Sequence, residues 1–224
     1  MLQADRSAIR RWLFWFPRFL DYVIRKYFLR AKFRFQGEFY HYFCHWHGST
    51  WRSERAVEIP IIWRVVQDSG GKEILEVGNV LSNYFPVSHD VLDKYEKACG
   101  VINEDAETFH REKPYDLIVS ISTIEHIGWN GEEQQDAGKI MRCINNLVRL
   151  LADGGVLLFT APLGYNPYLD ELLFGGGVEG AQLFAFKRLS VGRWEESEMS
   201  DLKGVRYNAP LQNANGLVIV RIRK

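Results

Sequence analysis

The feature that most narrows the fold is a near-unbroken apolar run, Tyr115-Asp-Leu-Ile-Val-Ser120, inside a chain that alternates strand and helix patterns from Lys72 onward. A strand with one wet face alternates apolar and polar residues, whereas a continuous run suits a sheet covered on both faces. The same material recurs on either side. Residues 73–77 read as a short buried strand, and a second short strand ends at Asp93. Residues 134–151 give a helix with Ile140, Ile144, Leu147, Val148 and Leu151 on one face, expected to stop at Asp153-Gly154-Gly155. Residues 156–160 form another buried strand and 217–222 the last one. Strands alternating with helices predict a mostly parallel α/β sheet.

The first fifty residues are different material. Residues 1–35 carry nine Lys/Arg against Asp5 and Asp21, a balance of +7 that the rest of the chain offsets to a net charge of zero. Sixteen of the 31 aromatic residues fall within residues 1–51. Residues 8–35 read as one or two amphipathic helices, with Pro17 at a start or kink. Residues 37–50, "GEFYHYFCHWHGST", show no clean period, and 51–66 looks helical with Arg55 and Glu58 on its wet side. We therefore expect a helical aromatic and basic extension over 1–50 and one domain over 51–224.

Zero net charge argues against a dedicated nucleic-acid binder, for which a strongly basic domain is expected. Three scattered cysteines, Cys44, Cys99 and Cys143, fit a reducing compartment, hence a cytoplasmic location. No signal peptide is evident, and no stretch reaches the roughly 18 apolar residues of a membrane span. Trp and Phe beside Lys and Arg in residues 1–35 fit two readings equally: packing against the sheet or a second subunit, or peripheral contact with an anionic membrane at its inner face. His41, Cys44, His45 and His47 crowd into seven residues with no second ligand group elsewhere, so no metal site is expected.

In an open α/β sheet, ligands bind beyond the strand carboxyl ends at the topological switch point. Those ends offer Glu76-Val-Gly78, Asp93, Glu104-Asp105-Ala106 and Ser122–His126. The pieces "ILEVGN" (74–79), "VLD" (91–93), "NEDAETF" (103–109), "YDLIVSISTIEHIG" (115–128) and "LLADGGVLLFTAPLGYN" (150–166) occur in this order. The chain from about Gly71 to Asn166 resembles the class I S-adenosylmethionine-dependent methyltransferases, and more faintly the methyltransferase-like proteins of bacterial polysaccharide pathways.

The resemblance implies a Rossmann-like methyltransferase fold, a twisted sheet with helices on both faces and an antiparallel last strand. It implies S-adenosyl-L-methionine as cofactor. Glu76, Gly78 and Asn79 would lie at its methionine end, and Asp93, 17 residues after Glu76, at the ribose hydroxyls. Asp105 and Ala106 would meet the adenine, while Ser120, Ser122 and Glu125 would wall the sulfonium. S-adenosylmethionine has no pyrophosphate, so a loop with the single glycine Gly78 can suffice where a dinucleotide site needs several amides. Asn79–Ser82 thus disfavours a dinucleotide dehydrogenase. The stretch 79–92 is short for a crossover helix, which leaves open a cofactor-less relative acting as a partner- or membrane-binding module.

For chemistry, methyl transfer from a sulfonium is an in-line displacement governed by proximity and orientation. An oxygen nucleophile also needs a base, and His126 after the fourth strand is the candidate, with His89 weaker. Tyr165 and Asn166, after the fifth strand, would border the acceptor, expected to be a small molecule or a free or lipid-linked glycan.

Overall fold

A computed structural model describes residues 16–129 and 135–224. The expected sheet is present. Eight strands, β3 (Ile74–Val77), β4 (Asp90–Leu92), β5 (Val101–Ile102), β6 (Tyr115–Ile121), β7 (Leu151–Pro162), β8 (Gln182–Ser190), β9 (Arg193–Ser197) and β10 (Gly216–Arg223), run in the order β5-β4-β3-β6-β7-β10-β8-β9. The pairs from β5 to β7 are parallel, and β10 lies antiparallel between β7 and β8. The chain builds outward from β3 to β5, then returns to the other side of β3 as β6. That reversal puts the switch point at the carboxyl ends of β3 and β6.

Both faces of the sheet are covered. Along β6, Leu117, Val119 and Ile121 face one layer and Ile118 the other, the period-2 alternation of a strand buried twice. Helix α2 (Arg55–Asp68) lays Val57, Ile61 and Ile62 on the first face. Helix α3 (Ala137–Arg149) lays Ile140, Ile144 and Leu147 on the second, its first turn capped by Asp136, which accepts from the Gly138 amide at 3.0 Å. Gln134, the expected start of α3, lies outside the described residues. The expected cap at 153–155 is displaced: α3 ends at Arg149, and those residues fall within β7.

The N-terminal part departs from expectation. Residues 16–29 are helical (α1), its last turn Ile24–Leu29 wound as a π-helix, and residues 8–15 lie outside the described chain. The expected helix does not continue to residue 35. Strands β1 (Lys32–Phe35) and β2 (Glu38–His41) form a hairpin instead, turned by Gln36 (φ 49°) and Gly37 (φ 86°). Two positive φ values in a two-residue loop match the twist of the strands. The cause is visible in Lys-Phe-Arg-Phe: Lys32 and Arg34 stay wet while Phe33 and Phe35 are buried against Phe184 and Phe186 of β8. Burying each ring contributes about 1.5–3 kcal/mol.

The link from β3 to β4 has no crossover helix, only a 3₁₀ turn at Leu81–Asn83. In α2, Glu58 is not on the wet side but fully buried.

Candidate functional site

At the switch point the strand ends enclose a cavity of about 380 Å³. Val77, Leu92, Ala106 and Ile127 make its apolar walls; Gly78, Asp93, Asp105, Thr123 and His126 also line it, with Lys94, Tyr95 and Glu104 beside them. Hollows of about 480 and 810 Å³ lie at the other end of the strands, bordered by Lys72, Asp116 and Gly154 or by Pro114, Leu151 and Lys224. That is the end from which α/β sheets do not present ligand sites, so the 380 Å³ cavity is the candidate.

Five residues singled out in the sequence meet here. Gly78 has φ +86°, and a Cβ would collide with the Thr123 side chain. Its glycine is therefore required by the close packing of two strand-end loops. Asp93 Oδ1 accepts from the amides of Tyr95 (2.9 Å) and Glu96 (2.8 Å), which fixes its carboxylate at the cavity edge. Asp105 accepts from Lys139 (2.9 Å) and Lys94 (3.0 Å). Burial alone would raise its carboxyl, but bonds from Lys139, the Glu107 amide and Lys94 hold it down at about 2. Ala106 is buried in the wall, and His126, with its side chain 49% exposed, stands at the rim.

The other seven stand behind or beside the cavity. Glu76 is fully buried: its Oε1 accepts from the amides of Val80 (2.9 Å) and Leu81 (2.8 Å), and its Oε2 lies 3.0 Å from His89 Nε2. It caps the turn that replaces the crossover helix and ties down His89. Asn79 bonds Glu96 (2.7 Å) and Ser82, holding the outer loop. Ser120 donates to the Val77 carbonyl at 2.9 Å, locking β6 to β3. Asn166 caps α4 (Pro167–Phe174) and donates to the Glu125 carbonyl at 2.8 Å. Tyr165 reaches His126: its hydroxyl is 3.0 Å from Nδ1, and its ring packs edge-on against both His126 and Tyr207.

Ser122 and Glu125 open onto a network that the sequence reading missed. Glu58 Oε1 accepts from Ser122 Oγ and from Thr160 Oγ1 (2.7 Å), and Oε2 faces Arg55 at 3.4 Å. Arg55 also donates to the Ile121 carbonyl at 3.0 Å. Nearby, Glu54 accepts from the Ala214 amide at 3.1 Å. Glu125 is also buried; its Oε1 lies 3.8 Å from His126 Nε2, and its Oε2 has no hydrogen-bond partner among the described residues. Burial pushes the carboxyls of Glu58 and Glu125 up. Burial, and then the carboxylates around it, pushes the Tyr207 hydroxyl up to about 12. His126 is lowered by desolvation and then by Arg55, so its neutral imidazole prevails near pH 7. A signal for Glu58 was present: an acid inside Ala-Val-Glu-Ile-Pro-Ile-Ile has no polar stripe to belong to.

The aromatic segment covers this side. Phe43 and His45 each pack edge-on against Tyr84 at 5.2 Å, and burial raises the Tyr84 hydroxyl, against Arg55 and with Glu58. Among the described residues no three His, Cys, Asp or Glu are grouped to hold a metal ion.

No protein-family model matches the chain, and no curated protein matches it. Similar solved structures exist. One is the N-methyltransferase NodS from Bradyrhizobium japonicum WM9 in complex with S-adenosyl-L-homocysteine, 15% identical over 73% of this chain and 84% of that one, with a TM-score of 0.47. Another is a SAM-dependent methyltransferase from Archaeoglobus fulgidus, 14% identical over 75% and 93%, with a TM-score of 0.45. A third, from Thermotoga maritima, is 14% identical over 76% and 98%, with a TM-score of 0.43. These likenesses are remote, and the functional reading rests on the chain's own residues.

Proposed function

We propose that the chain is an S-adenosylmethionine-dependent methyltransferase acting on an oxygen of a small molecule or a glycan, free or lipid-linked as in polysaccharide assembly. The observation that carries this is the apolar cavity at the β3/β6 switch point with a fixed carboxylate at one edge and a neutral imidazole at another. Its residues fit the cofactor. Leu92, Ala106 and Ile127 suit the faces of an adenine, and Asp93 keeps lone pairs for a ribose diol. When bound, the cofactor supplies an electrophilic methyl group on a sulfonium.

The chain's residues do the remainder. His126 is neutral and can accept the acceptor's hydroxyl proton at a ring nitrogen. The Tyr165 hydroxyl, 3.0 Å from Nδ1, orients the ring and leaves Nε2 as the nitrogen nearer Glu125, and which nitrogen carries the proton depends on the tautomer. Proton removal of this kind contributes about 10²–10⁴-fold. The apolar wall excludes water from the transfer, and the loops at Gly78 and Thr123 hold the geometry on which an in-line displacement depends.

Calorimetry with S-adenosylmethionine tests the reading. Micromolar binding is expected, weakened by about 1.5–3 kcal/mol in Asp93→Ala, the worth of one hydrogen bond to a charged group. If millimolar cofactor gives neither heat nor a thermal shift, the enzyme reading falls and a partner- or membrane-binding module replaces it. With an acceptor in hand, His126→Ala should lower turnover by about 10²–10⁴-fold at nearly unchanged cofactor affinity. Because the neutral ring is the active form and its pKa is lowered, the acid-side fall in kcat/KM should be centred below the ordinary histidine value of about 6.5.

A further inference from the structure

Helix α1 is apolar on the outside. Seven of the eleven exposed large apolar side chains among the described residues fall within its 14 positions, led by Phe28 (77% exposed), Tyr27 (62%) and Leu29 (59%). A helix that served only to cover the sheet would turn such residues inward. The inward contacts come mainly from Tyr22, which packs on Trp46 and Trp51, and from Asp21, which accepts from the Trp51 indole at 2.8 Å. Phe19 is also edge-on to Trp46, and Arg18 donates to Ser49. Residues 16–35 carry six cations against Asp21, a balance of +5. At the foot of the helix lies a crevice of about 270 Å³ bordered by Arg25, Lys26, Arg30 and His41, with no Asp or Glu among its described lining residues.

We propose that α1 and the chain leading into β1 form a docking face for an anionic lipid bilayer, with the crevice receiving a headgroup phosphate. The charge selects this occupant. A second copy of the same face would bring another +5 against the first, whereas anionic lipid offers the opposite sign. Aromatic and branched side chains settle at the headgroup boundary while Lys and Arg meet the phosphates. No helix among the described residues is long and apolar enough to cross a membrane, so the contact lies in the interface.

Flotation of the full chain with phosphatidylcholine vesicles, with and without phosphatidylserine, tests the proposal. Binding should require phosphatidylserine and weaken as added salt shortens the screening length from about 10 Å toward 3 Å. Lys26→Glu with Lys32→Glu should weaken it by on the order of fivefold for each positive charge removed. Phe28→Ser with Leu29→Ser should abolish it while the melting temperature stays at that of the parent. Failure to float with phosphatidylserine vesicles at low salt overturns the proposal. So does sedimentation showing a dimer that Phe28→Ser with Leu29→Ser converts to monomer, since the face then belongs to a second copy. Neither result depends on cofactor binding, which calorimetry reads separately.

Discussion

The segment from Ser122 to His126 serves two walls built on opposite principles. Thr123 and His126 face the apolar cavity, where backbone turns and strand ends define the shape. Ser122 and Glu125 face inward, toward Glu58 and Arg55, where buried charge holds α2 to the ends of β6 and β7. One wall is made of what every open α/β sheet must provide at its switch point. The other uses groups that are costly to bury and that persist only where each finds a partner or a task. A binding pocket can thus follow from topology, while the surface beside it depends on a few polar side chains drawn from distant parts of the chain.

The contrast is broken most forcefully at Glu58. Glu58→Ala would leave Ser122, Thr160 and Arg55 facing an empty acceptor, and removing one partner of a buried ionic network costs about 3–5 kcal/mol. Glu58→Gln keeps the acceptor oxygen and should cost far less. Chemical denaturation of both variants decides the matter. If Glu58→Ala stays within about 1 kcal/mol of the parent, the inner wall is not held by this acceptor.

Gly78 probes the other wall at smaller cost. Gly78→Ala places a methyl against Thr123 in a left-handed backbone, and overpacking alone costs about 1–3 kcal/mol. Thr123→Ala in the same chain should recover the steric share and leave the backbone share, about 1–2 kcal/mol. Full recovery would mean that φ is unimportant here, and no recovery that Thr123 is not the obstacle.

These two positions also mark what the sequence could and could not reveal. Gly78 and the strand ends around it were legible because a strand period, a glycine and an acid occur within a few neighbouring residues. The sheet followed from the same local signals. Glu58 was misplaced because its partners, Ser122 and Thr160, lie 64 and 102 residues away. Helical periodicity records which positions could be wet, and a buried acid breaks it without naming its partner. The β1–β2 hairpin was lost for a different reason. Its four-residue period-2 signal sits beside an amphipathic helix whose pattern extends plausibly across it, although Gln36-Gly37 offers a turn that a helix would not use. Tyr165 was legible as the residue that follows the fifth strand, but its contact with His126 depends on the fold of the loop after β7.

At Glu125 the effect vanishes at the acid end and grows with pH, and its sign is the test. Burial is the largest influence on its carboxyl, opposed by its own backbone amide and reinforced by Glu58, with the net direction upward. An unfolded glutamate titrates near about 4.3. The folded chain therefore holds a proton that the unfolded chain has already released. Stability from this group is complete below that pH and is lost progressively as pH rises toward the folded value. Glu58 acts in the same direction, so both contribute to a decline as pH rises above the unfolded glutamate value. Asp105 acts oppositely: held at about 2, it loses stability only as pH falls below the ordinary aspartate range. Asp170, raised by burial to about 6, also titrates between about pH 5 and 8, so Glu125 is read from the difference between the parent and its variant rather than from one curve. Glu125→Gln, which keeps an uncharged polar group of the same shape, should match the parent at the acid end. It should then decline less steeply, gaining about 1.4 kcal/mol for each pH unit over which the parent's folded carboxyl keeps a proton that its unfolded chain has released. Parallel curves for the two chains would show Glu125 ionised and hydrated in the folded state. The inner wall would then resemble the outer one, and the difference between them would rest on Glu58 alone.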